Sequence, residues 1–307
     1  MNPLEMNPPG NTPSKNRYLN APRNADHTVD QDWHGYSAAE HARWDGLVAR
    51  QAKILPGRAC RAFIALQKQL RLSQAGIPHF GRLSERLSQL TGWRVVAVPE
   101  LVPDDVFFDH LAQRRFPAGA FIRGAQQLDY IKEPDVFHDV YGHVPLLADP
   151  VYADYMQAYG EAGREAGRLG MLHYLARLYW YTVEFGLLKS PDGLRIYGAG
   201  ILSSPAECVF ALQDASPNRI AFDLIRVMRT NYRIDDFQQV YFVIDSFDQL
   251  HEALSGDLAP AYDRLKQLSD AAPQDILAGD GVLTRGTLAY FRKNRPCSMP
   301  HEKERAS

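Results

Sequence analysis

The sequence predicts a mostly α-helical fold with a small number of short strands, built as one domain. Apolar residues recur at helical spacing through most of the chain, and convincing strand candidates are few, short and separated by helices. The 307 residues suffice for one sizeable core and allow two domains at most, with no internal repeat. At 45% hydrophobic and 23% charged, the bulk composition is that of a globular chain, not of a disordered, collagenous or coiled-coil one.

Residues 1–36 read as a mobile tail, because the first 33 hold five prolines and six asparagines with almost no aliphatic residues to offset the entropy of ordering. The seven-residue recurrence of His27, His34 and His41 there reads as solvated histidines. Order is expected from Ser37, where Ser37-Ala-Ala-Glu40 has capping-box spacing and leads into a run with Trp44, Leu47, Val48 and Ile54. Helices are expected over 58–70 and 83–90, the latter closed by Gly92 as a left-handed cap, and a strand over 93–98. Pro103-Asp-Asp opens another helix, with acids at its positive dipole end and Val106, Phe107, His110 and Leu111 presented along it. Further helices are expected over 134–142, 151–168, 170–188, 205–212, 221–229 and 247–254, with a strand over 240–244. The catalytic unit is thus 37–285, and 286–307 drift into a second tail.

The formal net charge of −2 excludes general attraction to phosphate backbones or anionic lipid, so neither nucleic acid nor membrane is an expected partner. Cys60, Cys208 and Cys297 are far apart, which fits free thiols in a reducing compartment. No membrane span or signal-peptide core is visible, and a cytoplasmic address is expected.

The segment Glu133-Pro-Asp-Val-Phe-His138-Asp139-Val-Tyr-Gly142-His143-Val-Pro145 is the most informative. Two histidines five apart on a regular helix differ by about 140° in direction, too far to grip one ion. The geometry must therefore break locally, by a left-handed or widened turn at Gly142 and by Pro145. Taken alone, such a pair also reads as two satisfied polar residues. Glu184 is the third piece, with Trp180, Tyr181, Leu187 and Leu188 as its same-face neighbours on a helix. A carboxylate there needs a positive partner, either a metal ion or a salt bridge to Arg177. Two imidazoles and one carboxylate make the facial triad of non-haem Fe(II) oxygenases. Zinc is disfavoured by the absence of an H-E-x-x-H pattern.

The runs Pro134-Asp-Val-Phe-His138-Asp-Val-Tyr-Gly-His143-Val-Pro-Leu, Leu178-Tyr-Trp-Tyr-Thr-Val-Glu184-Phe-Gly-Leu and Tyr197-Gly-Ala-Gly-Ile-Leu-Ser203-Ser204 together resemble the tetrahydropterin-dependent aromatic amino acid hydroxylases, over roughly residues 36–254. The likeness is greatest to bacterial members acting on phenylalanine. It implies a single catalytic domain of that type, with Fe(II) on His138, His143 and Glu184 and with Tyr179 close to iron and pterin. It places Phe107 on the pterin ring, Asp139 near the pterin through water, and Leu101 and Val102 in the loop that cradles it. Glu100 stands in that loop where relatives usually carry glycine. For the substrate it implies Arg123 on the carboxylate, Asp135 orienting that arginine, Ser203 near the same end, and Pro134, Trp180 and Phe185 walling the ring. By residue type alone, Phe107, Trp180 and Phe185 are equally core, Arg123 a surface cation and Asp135 a first-turn acid.

The implied reaction uses O2 and a tetrahydropterin to convert L-phenylalanine to L-tyrosine. Phenylalanine is preferred over tyrosine or tryptophan because Trp180 narrows the space for an indole, and Ile234 stands where tyrosine-hydroxylating relatives place an acid. The regulatory and oligomerisation segments of animal members are not present, so a monomer is expected. Rival readings are hydroxylation of tryptophan or tyrosine, a zinc hydrolase on the same ligands, and a non-catalytic binding protein. Gly198-Ala-Gly200 is no dinucleotide motif, since Ser203 stands where the third glycine belongs.

Overall fold

The computed structural model describes residues 16–129 and 133–294. Residues 16–36, expected to be mobile, instead lie docked on the domain. Tyr18, Val29 and Tyr36 are buried, and the Val29 N–H donates to Ala97 O at 2.9 Å. Gln31 donates to Pro78 O at 2.8 Å and accepts from the Phe80 N–H at 2.7 Å, while the Tyr36 hydroxyl donates to Ala120 O. Average composition hid these anchors: three well-placed apolar side chains and a satisfied backbone hold a segment that is otherwise polar. The part of the expected tail over 1–15 lies outside the described residues.

Helix α1 (Ala38–Ile54) starts from the expected capping box, with the Ser37 N–H donating to the Glu40 carboxylate at 2.8 Å, and buries Trp44, Leu47 and Gln51. Helix α2 (Arg61–Gln69) follows, then α3 (Phe80–Thr91), which ends on Gly92 at φ 80°, the left-handed cap that its position predicts. Strand β1 (Arg94–Val98) leads through α4 (Asp104–Ala112) into β2 (Arg115–Gly119), which pairs with β1 in parallel. The sequence reading missed β2. It carries Pro117, which only a small sheet with free edges accommodates.

A 20-residue helix, α5 (Pro150–Leu169), packs against α4 and against α10 (Phe247–Leu254). The helix expected over 170–188 is shorter: α6 (Leu172–Tyr179) passes into a widened turn over Trp180–Glu184, and the chain then enters β3 (Leu187–Ser190). Leu187 and Leu188 are therefore sheet residues and not face neighbours of Glu184. An unbroken apolar run conceals the change of structure, because a buried helix and a buried strand are equally apolar. Strand β4 (Gly193–Ile196), α7 (Ala199–Leu202), α8 (Pro205–Gln213), β5 (Asn218–Ala221), α9 (Leu224–Met228) and β6 (Val240–Ile244) follow. After α10 come α11 (Ala259–Lys266), β7 (Val282–Thr284) and α12 (Ala289–Lys293). The second sheet runs β4-β3-β6-β5-β7, with β3 and β5 parallel to the fully buried β6 and both outer strands antiparallel.

The tail expected from residue 286 is docked as far as it is described. Phe291 is buried, and the Tyr290 ring lies 5.3 Å from Phe210 and 5.4 Å from Phe237. Residues 295–307, Cys297 among them, lie outside the described residues. The expectation of a mostly helical chain with short strands holds, and among the described residues no helix is long and apolar enough to cross a membrane.

Candidate active site

Two widened turns build the centre. Phe137–His143 is a π-helix, whose i to i+5 repeat brings residues five apart onto one face, so His138 and His143 converge where a regular helix separates them. Of the two breaks that the sequence allows at Gly142, the structure takes the widened one. Gly142 matters for space: a Cβ there meets Ala199 O at 3.0 Å, so glycine lets α7 lie against the histidine turn. Trp180–Glu184 is the second π-helical turn, closed by the Phe185 N–H donating to Trp180 O at 2.9 Å, and it ends on the third ligand. Gly198 fits for a similar reason, since a Cβ there stands 2.4 Å from Glu184 O.

The three side chains meet. His138 Nε2 and His143 Nε2 are 3.2 Å apart, and they lie 3.5 Å and 3.2 Å from Glu184 Oε2 and Oε1. Donors bound at right angles to one ion at about 2.1 Å stand about 3.0 Å from each other, so this triangle fits one face of an octahedron. The Ser203 hydroxyl donates to Ala199 O at 2.9 Å and so accepts a hydrogen bond from the His138 Nδ1–H at 2.9 Å, which leaves the Nε2 lone pair facing the cluster. The His143 ring is held between Phe116, at 5.1 Å, and Tyr179, at 6.1 Å. Its Nδ1 is buried with no hydrogen-bond partner among the described residues. This donor set, two imidazole lone pairs and a carboxylate, fits a divalent cation. Arg177, the alternative partner for Glu184, is engaged elsewhere: it grips Asp270 at 2.7 and 2.8 Å.

Burial works against the Glu184 charge, but His143 and His138 outweigh it and hold the carboxyl well below its ordinary value. Burial likewise disfavours a charged His138, and Glu184 reverses this and raises it. Asp139 is pushed up to about 6 by burial, with the two histidines opposing, and accepts the Gly119 N–H at 2.7 Å.

Next to the cluster lies a buried ion pair. Arg123 donates to Asp135 through Nε at 2.9 Å and Nη2 at 2.7 Å, and its backbone N–H adds a third bond at 2.8 Å. Burial alone raises Asp135; Arg123 more than offsets this and holds the carboxyl below its ordinary value. Asp135 also accepts the His138 N–H at 3.0 Å, which ties the pair to a candidate ligand. Arg123 is thus no surface cation, and Asp135 does more than begin a helix.

Phe107 is half-buried, with its ring edge-on to Tyr179 at 5.8 Å, and Tyr179 continues to His143. Pro134 is half-buried beside Asp135, and its carbonyl stands 3.0 Å from where a Gly119 Cβ would be. Trp180 and Phe185 pack at 4.7 Å. Ser203 sits on His138, whose backbone shares Asp135 with Arg123. Leu101 is exposed and Val102 half-buried on the loop before α4. Glu100 on that loop pairs with Arg23 at 2.7 Å. The sequence reading missed Phe116 against His143, and also Tyr232 and Gln238 against Trp180. Nothing in their local patterns marks them, because each reaches the site from a distant part of the chain.

The family described as biopterin-dependent aromatic amino acid hydroxylase matches residues 26–262. The chain belongs to that family. Among similar proteins, the hydroxylase is 63% identical over 265 residues to phenylalanine-4-hydroxylase of Caulobacter vibrioides, covering 86% of this chain and 90% of that one. It is 58% identical over 262 residues to the enzyme of the same name from Ralstonia nicotianae, covering 85% and 84%. Its fold superposes on cobalt-bound phenylalanine hydroxylase from Chromobacterium violaceum with a TM-score of 0.86 at 51% identity, over 89% of this chain and all of that one. The hydroxylase is accordingly a pterin-dependent non-haem iron monooxygenase with a single catalytic domain of that family's type.

Proposed function

We propose that this hydroxylase converts L-phenylalanine to L-tyrosine with O2 and a tetrahydropterin, at an Fe(II) centre held by His138, His143 and Glu184. One observation carries the reading: the Asp135 carboxylate accepts both from the Arg123 guanidinium and from the His138 backbone N–H, so an amino acid anchor and a metal ligand are fixed to one buried carboxylate. An arginine locked in this way suits a substrate carboxylate, and the fixed span to the metal suits a ring attached at the Cβ. The names of the relatives at 63% and 58% identity support the same substrate.

When bound, iron and pterin together activate O2 and supply the oxidant for the ring. The remaining steps belong to side chains. Arg123 takes the substrate carboxylate while Asp135 fixes the guanidinium plane. Pro134, Trp180 and Phe185 exclude water and hold the ring over the metal face. Phe107 would stack on the pterin, with Leu101 and Val102 on the loop beside it, and Tyr179 links the Phe107 ring to His143. Asp139, buried and tied to the Gly119 N–H, would approach the pterin through water. Ser203 keeps His138 in the tautomer that binds metal. Ile234 is exposed on the loop between Tyr232 and Gln238, the two residues that meet Trp180.

The test is product analysis with phenylalanine, tyrosine or tryptophan, each with Fe(II), a tetrahydropterin and O2, against zinc-loaded and pterin-free controls. Para-tyrosine formed only with iron and pterin together is expected. Product from tryptophan or tyrosine alone overturns the substrate, and unconsumed pterin with no product overturns catalysis.

A further inference from the structure

The indole of Trp180 is held at three points. Tyr232 stacks on it with ring centres 4.6 Å apart and planes within 18°, Phe185 lies at 4.7 Å, and the indole N–H donates to Gln238 Oε1 at 2.9 Å. Gln238 is only 3% exposed and has no freedom to turn. Its amide nitrogen donates to Arg233 O at 3.1 Å and to Asp236 O at 3.2 Å, and its backbone N–H donates to the buried Glu207 carboxyl at 3.4 Å. Glu207 is fixed in turn by the Tyr241 hydroxyl on β6. Rotating the amide by half a turn sets NH2 against the indole N–H and an oxygen against two carbonyls, so a single orientation is permitted. A chain of hydrogen bonds therefore runs from the central strand of the large sheet, through the 233–238 loop, to one edge of one indole.

We propose that Gln238 is a positioning residue that sets the tilt of Trp180 and thereby the choice between a phenyl and an indolyl substrate. The proposal rests on the reading that Trp180 walls the substrate ring. An apolar wall made only by stacking can slide, because stacking is tolerant of offset. A buried hydrogen bond at the indole nitrogen removes that freedom, since breaking it leaves a donor unsatisfied.

A double-mutant cycle with Gln238→Met and Trp180→Phe tests this, reading the ratio of kcat/KM for phenylalanine to that for tryptophan, with pterin KM alongside. Gln238→Met keeps length and removes the acceptor. It is expected to lower the ratio roughly three- to ten-fold, mainly through a raised phenylalanine KM, with pterin KM unchanged. In the Trp180→Phe background, where no indole N–H exists, the same change is expected to leave the ratio alone. A fall of equal size in both backgrounds, or none in either, overturns the proposal. If Trp180→Phe by itself moves neither phenylalanine KM nor the ratio, the reading of Trp180 as the wall is what fails. If Gln238→Met does not fold, Tyr232→Leu removes the stacking partner and leaves the hydrogen bond from the indole N–H to Gln238 in place, so it is expected to hold the ratio within two-fold of wild type; a fall to the Trp180→Phe value overturns the role.

Discussion

Replacing Asp135 by alanine separates the anchor from the metal turn, and the structure sets the size of the effect. Asp135 is fully buried and accepts four hydrogen bonds, three from Arg123 and one from the His138 backbone. Arg123 is 4% exposed, so water cannot take over the lost partner. Removing one member of a buried pair leaves the other charge uncompensated, at a cost of about 3–5 kcal/mol. For a domain of this size that corresponds to a fall in Tm of roughly 6–20 °C. Thermal melts and urea titrations of the wild type and the Asp135→Ala variant measure the loss. Phenylalanine KM in the folded fraction is expected to rise at least ten-fold, because the guanidinium loses its fixed plane. Stability within about 1 kcal/mol of wild type, with an unchanged KM, refutes the argument that this pair is both buried structure and substrate anchor.

Ser203→Ala removes the acceptor of the His138 Nδ1–H and is expected to weaken Fe(II) or Co(II) affinity about 10–100-fold, as read by metal titration, without unfolding the domain. Tyr36→Ala is expected to cost about 3–5 kcal/mol in denaturant melts, as truncation of a core aromatic does, whereas a residue in a mobile tail costs nothing. Burial pushes the Glu207 carboxyl up to about 7 from an ordinary 4.5, so its contribution to stability is fully present at low pH and declines as pH rises through 7. Glu207→Gln keeps the acceptor for Tyr241 without that charge, so its stability relative to wild type is expected to increase from about pH 5 to about pH 8, by up to about 3 kcal/mol. Parallel melting curves across that range contradict it.

The site was more legible in the sequence than its geometry. His138, His143 and Glu184 stand out as residue types, and the argument that a regular helix cannot join two histidines five apart correctly demanded a break at Gly142. Its form, a π-helical turn set against α7, depends on Ala199, some sixty residues downstream, and no local pattern contains it. The helices with clear caps emerged where expected, α1 from its capping box and α3 up to Gly92. Strands β1 and β6 emerged as well, but the other small strands did not. Strand β3 hides within an apolar run that continues a helix, β2 carries a proline, and β7 has three residues, all exposed. Residues 16–36 looked too polar to order because composition averages over Tyr18, Val29 and Tyr36, the few side chains that dock them. Gln238 illustrates the remaining limit: an amide becomes informative only once its three partners are seen around it.

The most direct measurement of the central claim compares the wild type with Glu184→Ala for bound Fe(II) per chain and for para-tyrosine formed per pterin consumed. The wild type is expected to bind a single Fe(II) and to convert phenylalanine, while the variant, folded by its melting curve, loses both. A folded Glu184→Ala protein that binds iron as tightly and forms para-tyrosine as fast as wild type contradicts the assignment of the centre to His138, His143 and Glu184.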